Sequence, residues 1–418
     1  MHHVIIGNGP AGVIAAETIR KHRQADRITL IGDEPEPPYS RMAIPYLLIG
    51  DILEAGTYLR KAKDHFSERR IELVRASARR IDAKAKAVVL DTGRTLDYDR
   101  LLLATGSRPA RPPIPGIDLP NILSCWTLKD ARMIMAAVKP GARVLLMGAG
   151  FIGCIIMEAI ASRAAELTVV EMGERMVPRM MTEGAGRLIK RWCEARGVRI
   201  LTGTRVVAIE KAPSGALRAQ LGGGNALEVD VIISATGIKP SVGCLDGSGV
   251  KLGSAGGIVV DDRMQTNVPD IYAAGDCTEA AEFDTGKIIV NAIQPNAADQ
   301  ARVGALNMAG MATRSPGSLQ INVLATFGLV SSSFGQWQGA DGGEHIELND
   351  EAGSKYIRLE FKDDFLIGAN SVGLTEHVGV IRGLIQSRTR LGRAWKARLL
   401  ADPLELTDAY LARAQAAA

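Results

Sequence analysis

One glycine-rich loop occurs twice in this chain, each time between a strand-like apolar run and a helix-like run. The loop glycines are Gly7, Gly9 and Gly12 in the first copy and Gly148, Gly150 and Gly153 in the second. Such a loop allows a tight turn and lets the backbone approach a pyrophosphate at the positive end of the following helix. A single copy is weak evidence, because glycine is common in loops. Two copies in matching surroundings predict two dinucleotide sites.

An acidic residue follows each loop at the end of a second strand-like run, about 20 residues further on. These residues are Asp33 and Glu171. A carboxylate at this position accepts hydrogen bonds from ribose hydroxyls. The charge of Glu171 repels a 2′-phosphate, which favours NADH over NADPH, although Arg175 lies close by in the sequence. Two dinucleotides in one chain suggest that electrons pass between them.

Composition places the chain among globular proteins of two or three domains, with 418 residues, 46% hydrophobic and 23% charged. A net charge of +4 and 4% aromatic residues argue against a nucleic-acid partner. The most apolar stretch, residues 144–157, is too short to span a membrane and is interrupted by glycines. We therefore expect neither nucleic-acid binding nor a membrane span.

The cysteines are scattered, without a C-x-x-C pair or the spacing of metal ligands, so we expect no disulfide framework and no metal site. Such usage is typical of a reducing compartment. The chain enters a strand-like run almost at once, which leaves no room for a signal peptide. We therefore expect a cytoplasmic protein.

With these pieces in order, the chain resembles the FAD-dependent pyridine nucleotide-disulfide oxidoreductases over nearly its full length. It most resembles the branch of ferredoxin and rubredoxin reductases and nitrite-reductase-like flavoproteins. The resemblance implies an α/β fold with two Rossmann-like domains, one for FAD and one for NAD. Beyond about residue 316 the sequence changes to β-like segments followed by two helical segments, which predicts a small α+β C-terminal domain. The implied domains are FAD-binding, 1–116 and 238–315; NAD-binding, 117–237; and C-terminal, 316–418.

The resemblance also implies which residues contact the cofactors. Those on the FAD side are Gly7, Gly9, Pro10, Ala11, Gly12, Asp33, Arg41, Ala78, Thr105, Gly106, Asp276 and Gln294. Those on the NADH side are Gly148, Gly150, Phe151, Ile152, Gly153, Glu171 and Gly237. Among them, Arg41 is expected along the phosphate or ribityl side of the flavin, Asp276 at the ribityl chain and Gln294 near the isoalloxazine. The resemblance further places Ala78 beside the adenine, Thr105 and Gly106 at a crossover of the chain near FAD, and Gly237 where it closes the NADH pocket.

The chain departs from the family pattern near the flavin. Residues 42–46 contain no cysteine, which argues against disulfide reduction and cysteine-sulfenate peroxidase chemistry. Ferredoxin reductases usually have a lysine, an arginine and a glutamate where this chain has Tyr46, Trp126 and Ile155. Joint loss of the lysine and the glutamate avoids an unpaired buried charge and predicts a more apolar flavin face. Because hydride passes directly between stacked rings, no catalytic side chain is expected.

Residues 377–401 are basic and contain no acid, and their apolar residues recur at helical spacing. The basic side chains are either simply solvated or form a docking site for an acidic iron–sulfur electron carrier. The residues expected in such a site are Arg382, Arg388, Arg390 and Arg393.

The function expected from these features is that of an NAD(P)H-dependent FAD oxidoreductase. Electrons would pass from NADH through the flavin to a ferredoxin-like or rubredoxin-like carrier or to another acceptor. Two alternatives remain open. The chain is the flavin subunit of a dehydrogenase or oxidase that acts on a small substrate, or it is an NADH-sensing interaction protein resembling apoptosis-inducing factors. The acceptor is open as well, as is assembly into a homodimer or a larger complex.

Overall fold

The computed structural model describes residues 1–163 and 166–417, with side chains up to residue 413. The chain forms two compact units. The first consists of Met1–Leu47, Ile52–Pro109 and Ile238–Ser318; the second consists of Leu48–Asp51, Ala110–Gly237 and Leu319–Ala418. The predicted domain limits at 116, 237 and 315 stay predictions.

The first half of the chain holds the elements of both glycine loops. Up to residue 109 these are β1 (His2–Ile6), α1 (Pro10–His22), β2 (Arg27–Gly32), α2 (Ile44–Ile49), α3 (His65–Glu68), β3 (Ile71–Arg75), β4 (Ala78–Asp82), β5 (Ala87–Leu90), β6 (Thr95–Asp97), β7 (Arg100–Leu103) and β8 (Ser107–Pro109). From there to residue 237 they are β9 (Ile122–Ser124), α4 (Leu128–Ala137), β10 (Arg143–Met147), α5 (Phe151–Ala161), β11 (Glu166–Val170), α6 (Glu183–Glu194), β12 (Arg199–Leu201), β13 (Val206–Lys211), β14 (Leu217–Leu221), β15 (Ala226–Val229) and β16 (Val231–Ser234).

The second half returns to the first unit and ends in the second. Residues 238–318 form β17 (Ile238–Pro240), β18 (Ile258–Val259), β19 (Ile271–Ala273), β20 (Thr278–Ala281), β21 (Ile288–Ile289) and α7 (Gln294–Met308). The remainder forms β22 (Ile321–Thr326), β23 (Leu329–Gly335), β24 (Glu344–Asp350), β25 (Lys355–Lys362), β26 (Phe365–Val372), α8 (Val378–Gln386), α9 (Gly392–Ala401) and α10 (Leu406–Ala417).

Each unit is built on a parallel sheet. In the first unit the strand order is β19-β7-β1-β2-β3, and in the second it is β12-β11-β10-β16-β9. The central strands β1 and β10 are almost completely buried, which is why both read as continuous apolar runs. Each glycine loop follows the central strand and leads into a helix, so it lies at the carboxyl edge of its sheet, where ligands bind in such folds.

The chain segment after residue 318 forms an antiparallel sheet with helices packed on one face. Its strand order is β22-β23-β26-β25-β24. Ile381, Leu384 and Ile385 of α8 are buried in the same apolar cluster as Phe334 and Leu359 of the sheet. The inward apolar face predicted for this helix is therefore present. The part of the tail that the structure describes contains three helices, one more than the two expected.

The fold class expected from the sequence is confirmed: the chain is a mixed α/β protein with two Rossmann-like parallel sheets. Within the described residues, no helix is long and apolar enough to cross a membrane.

Candidate functional site

The glycines of the first loop divide into two that pack against protein and one that does not. A Cβ on Gly7 would lie 2.0 Å from the Ala104 carbonyl oxygen, and one on Gly12 would lie 1.8 Å from the Gly7 carbonyl oxygen. Gly7 also has a φ of +111°, which disfavours any residue with a side chain. A Cβ on Gly9 would meet no atom within 4 Å. Gly9 therefore leaves open space beside the backbone for a ligand.

The second loop repeats this division position by position. A Cβ on Gly148 would lie 2.6 Å from the Ala235 carbonyl oxygen, and one on Gly153 would lie 2.1 Å from the Gly148 carbonyl oxygen. The middle glycine, Gly150, again has nothing within 4 Å of the place where a Cβ would be. Close packing explains the outer glycines of both loops but not the middle ones. Approach of a ligand to the backbone explains the middle ones.

The helices that follow the loops begin without a side-chain cap. Gly9 is the N-cap of α1 and Gly150 is the N-cap of α5, and neither position has a side chain to accept from the first backbone amides. Pro10 occupies the first helical position of α1, where a missing N–H costs nothing. Free amides at a helix N-terminus bind phosphate groups well. The backbone of Ala11 and that of Phe151 and Ile152 continue the first turns of these helices.

The adenosine end of the predicted FAD site is open to solvent. Asp33 follows β2 and is exposed, and its carboxylate lies 3.5 Å from the Ser77 hydroxyl. Ala78, the first residue of β4, is half-buried close by in the sequence. An exposed carboxylate of this kind is free to accept from ribose hydroxyls.

Arg41 contacts Glu34 and Ser107 within the first unit. Its Nη2 donates to Glu34 Oε1 at 3.0 Å, and its Nη1 donates to the Ser107 carbonyl oxygen at 3.1 Å. The second oxygen of Glu34 accepts from the Tyr39 hydroxyl at 2.5 Å. Glu34 therefore fixes the guanidinium that the resemblance places beside the flavin nucleotide.

Asp276 follows β19 and is half-buried. The Ser107 hydroxyl donates to Asp276 Oδ2 at 2.7 Å. Burial raises the pKa of Asp276, while the Ser107 hydrogen bond and the charge of Arg41 act in the opposite direction. Gln300 supports the preceding turn, because its side-chain oxygen accepts from the Gly275 amide at 2.8 Å.

Two further predicted residues are fixed by partners in the first unit. The Ser40 hydroxyl donates to Gln294 Oε1 at 2.6 Å, at the first turn of α7. The Thr105 hydroxyl donates to the Ser241 carbonyl oxygen at 2.6 Å. Gly106, next to Thr105, has a φ of +66° and no atom within 4 Å of its Cβ position. Thr105 is thus anchored to Ser241, while the space beside the Gly106 backbone is open.

Glu171 is buried and bonded to the second loop rather than solvated at the end of β11. Its Oε2 accepts from the Ala149 amide at 2.7 Å, and its Oε1 accepts from the Gly173 amide at 2.7 Å. Each carboxylate oxygen has a second lone pair for a ribose hydroxyl. Arg175 donates to the carbonyl oxygens of Met181 and Pro178, at 2.7 and 3.2 Å, so its guanidinium is held by the backbone.

Gly237 lies in the second unit, three residues after the end of β16. It has a φ of +113° and no atom within 4 Å of its Cβ position, and its carbonyl oxygen accepts from the Ala110 amide. Its role in closing the nucleotide site stays a prediction.

The three unusual positions that the resemblance places near the flavin are divided between the two units. Tyr46 lies on α2 in the first unit and is 56% exposed. Trp126 and Ile155 lie in the second unit and are half-buried. Trp126 immediately precedes Thr127, the N-cap of α4. The predicted apolar flavin face stays a prediction.

The cysteines are free and buried in the described structure. Burial raises the pKa of the Cys154 thiol well above its usual range and also raises the pKa of Cys277. Neither is a reactive thiolate at neutral pH. No group of three or more metal-ligating side chains occurs among the residues described.

The basic residues of α8, of α9 and of the segment between them are partly paired with acids of β24 and of the turn between β25 and β26. Arg390 lies 3.3 Å from Asp364, and Lys396 contacts Glu344. Arg382 donates to Gln386 at 3.1 Å. Arg382 and Arg393 are exposed and form no ion pair with another described residue.

The chain belongs to the pyridine nucleotide-disulphide oxidoreductase family, whose model matches residues 1–301. It is 34% identical over 406 residues to the epsilon subunit of NADH-dependent phenylglyoxylate dehydrogenase from Aromatoleum evansii, covering 96% of this chain and 95% of that protein. It is 31% identical over 316 residues to a probable ferredoxin reductase from Castellaniella defragrans, covering 75% and 76%. A solved ferredoxin reductase from Rhodopseudomonas palustris is 26% identical, covers 91% of this chain and 93% of that one, and has a TM-score of 0.84.

These comparisons confirm the predicted family and, with it, FAD and NADH as the cofactors. The chain is a flavin-dependent and pyridine-nucleotide-dependent oxidoreductase. The two loops fit such cofactors, since each combines an open middle glycine with an uncapped helix N-terminus. The roles of the individual residues stay predictions.

Sequence reasoning overlooked Ser107, Glu34 and Gln300. Glu34 follows the predicted ribose acid directly, and Ser107 follows the predicted crossover directly. Glu34 and Ser107 therefore carry a sequence signal, because each is adjacent to a predicted site residue. Gln300 lies inside a helix and carries no local signal in the sequence.

Proposed function

We propose that this protein is an FAD-dependent NADH oxidoreductase that passes electrons from NADH, through the flavin, to an electron-carrier protein. The repeated loop geometry supports this proposal most strongly. Each unit has one loop whose middle glycine faces open space, followed by a helix whose first amides lack a side-chain cap. Two phosphate-binding loops in one member of this family agree with one flavin nucleotide and one nicotinamide nucleotide.

In this proposal the protein binds and orients, and the redox chemistry is that of the cofactors: bound FAD accepts a hydride and releases electrons onward. Gly7, Gly9 and Gly12, with the N-terminus of α1, hold the diphosphate of FAD. Asp33 accepts from the adenosine ribose. Arg41 and Asp276 hold the flavin side, each on its own hydrogen-bond partner.

At the second loop, Glu171 sets the preference for NADH. Its carboxylate is fixed by two backbone amides, so its charge remains where a 2′-phosphate would have to lie. Arg175 is held in place by the Met181 and Pro178 carbonyl oxygens, which accept from its guanidinium. We therefore expect NADPH to be a poor donor.

Anaerobic titration of the FAD-loaded protein with NADH tests the central claim. Bleaching of the flavin absorbance near stoichiometric NADH is the expected result. A matched control is Gly150→Val, whose side chain would project into the open space beside the second loop. It should abolish bleaching by NADH while dithionite still bleaches the flavin. A wild-type flavin that NADH leaves oxidised would refute the proposal.

The acceptor in this proposal is an acidic iron–sulfur carrier that docks on exposed basic side chains of α8, of α9 and of the segment between them. The expected docking residues are Arg382, Arg388, Arg390 and Arg393. Arg382 and Arg393 are exposed and have no ion pair among the described residues, which supports this assignment. Pairing of Arg390 with Asp364 reduces the charge available at the centre of that surface.

A second candidate function is that of the flavin subunit of a multi-subunit dehydrogenase. The similarity to the epsilon subunit of phenylglyoxylate dehydrogenase, which spans 95% of that subunit, favours it. Such a subunit would pass electrons from its partner subunits to NAD⁺. Stable co-purification with other chains, and fast NAD⁺ reduction by a reduced carrier, would favour this candidate. A stable NADH complex with very slow turnover would instead favour an NADH-sensing protein.

A further inference from the structure

Ser107 connects Asp276 and Arg41, two charged side chains that the resemblance places beside the flavin nucleotide. It is 4% exposed and begins β8, directly after the crossover at Thr105 and Gly106. Its hydroxyl donates to Asp276 Oδ2 at 2.7 Å, and its carbonyl oxygen accepts from Arg41 Nη1 at 3.1 Å. One residue therefore contacts an anionic and a cationic side chain that come from distant parts of the sequence.

The position of Ser107 is itself fixed by the backbone. Ser107 pairs with Pro240 in the antiparallel ribbon of β8 and β17. The Gly106 carbonyl oxygen accepts from the Ser241 amide at 3.0 Å, next to the bond from the Thr105 hydroxyl to the Ser241 carbonyl. The backbone that carries the Ser107 hydroxyl is thus firmly placed beside Asp276.

We propose that Ser107 is a positioning residue for FAD, holding the carboxylate of Asp276 and the guanidinium of Arg41 in the arrangement that the flavin nucleotide requires. This inference rests on the proposed function, because it takes the first loop to be the FAD site. It adds a residue to which neither the glycine motif nor the acid at the end of β2 points.

The charges around Asp276 give this role a pH dependence. Burial raises the pKa of Asp276, and the Ser107 hydroxyl and the Arg41 charge oppose that rise. The positive charge of Arg41 lowers the pKa of Asp276, and Arg41 itself forms an ion pair with Glu34. Cys277, the next residue, stays neutral because burial raises the pKa of its thiol. Removing the Ser107 hydroxyl therefore favours protonated Asp276, a weaker acceptor for a ligand hydroxyl.

The test is a double-mutant cycle between Ser107→Ala and Asp276→Asn, with FAD dissociation measured on the refolded or deflavinated protein. The Ser107→Ala variant should bind FAD about tenfold more weakly near pH 7, because Asp276 loses a hydrogen bond that favours its ionised form, the better acceptor for a ligand hydroxyl. The defect should shrink toward high pH, where Asp276 is ionised in both proteins. In the Asp276→Asn background the same substitution should have almost no further effect.

Two further variants separate positioning from a general loss of packing. Ser107→Thr keeps the hydroxyl and should restore FAD binding. Ser241→Ala, on the neighbouring strand, removes a hydroxyl but keeps the carbonyl that accepts from Thr105, and should bind FAD as the wild type does. Where Ser107→Ala does not fold, Ser107→Cys, a weak donor of similar volume, takes its place in the cycle.

Additive effects in the cycle, or a pH-independent defect, would overturn the role of Ser107 while leaving the proposed function intact. If FAD binding depends on Ser107 in this way but NADH does not bleach the flavin, the proposed function is overturned and the role of Ser107 stands. The two failures are therefore distinguishable.

Discussion

At the scale of single residues, the glycines of the first loop have separable roles. We expect Gly12→Ala to destabilise the protein by about 1–3 kcal/mol, because the new Cβ would lie 1.8 Å from the Gly7 carbonyl oxygen. Gly9→Ala should leave the stability of the FAD-free protein unchanged, since its Cβ meets no protein atom within 4 Å, but should weaken FAD binding. Thermal unfolding without FAD and FAD titration measure the two effects. A loss of stability in Gly9→Ala would contradict this division.

His3 gives the folded protein a dependence on pH. It is fully buried in β1, its Nε2 lies 2.9 Å from Asp26, and burial lowers its pKa. The folded state favours neutral His3. The free energy of unfolding is therefore not reduced by His3 above the pKa of an unfolded histidine, about 6.5, and decreases as the pH drops below that value. Chemical unfolding at pH 8 and pH 5.5 should show a smaller loss of stability in His3→Gln than in the wild type. Equal losses would show that other groups carry the dependence.

At the scale of elements, the basic helices of the tail carry the chain's excess charge. Residues 377–418 contain seven Lys and Arg and three Asp and Glu, which gives +4, equal to the net charge of the whole chain. We expect Arg393→Glu to slow electron transfer to an acidic carrier several-fold at low salt and much less at high salt. Stopped-flow kinetics with reduced protein and a ferredoxin measure this.

Arg187→Glu is the matched control for that variant. Arg187 lies on α6, is 62% exposed and pairs with Glu183, so the substitution changes the net charge equally on a different helix of the same unit. Equal slowing in both variants would mean that overall charge, and not docking on α9, steers the carrier.

The sequence predicted those elements whose signal is local. The two strand–loop–helix units are defined by short apolar runs and by glycines at fixed spacing, and the structure has both. Contacts between distant residues were not predictable in this way. The bond from Ser107 to Asp276 spans 169 positions. Two acids that pair with the basic tail also come from earlier in the chain: Glu344 begins β24, and Asp364 lies in the turn between β25 and β26. Residues 377–401 contain no acid, yet acids from other parts of the chain lie against their basic side chains.

At the scale of the whole molecule, each compact unit contains one complete strand–loop–helix site, so each nucleotide should protect its own unit. At a ligand concentration a hundred times Kd, binding stabilises the bound state by about 2.7 kcal/mol, which slows hydrogen exchange from that state by up to about a hundredfold. In the FAD-loaded protein, NAD⁺ should therefore slow exchange of the amides at residues 148–153 far more than those at 7–12. Loading FAD into the FAD-free protein should protect 7–12 first. Protection of residues 7–12 by NAD⁺ alone would reverse the assignment of the two loops, because the open glycine and uncapped helix of each site are otherwise alike.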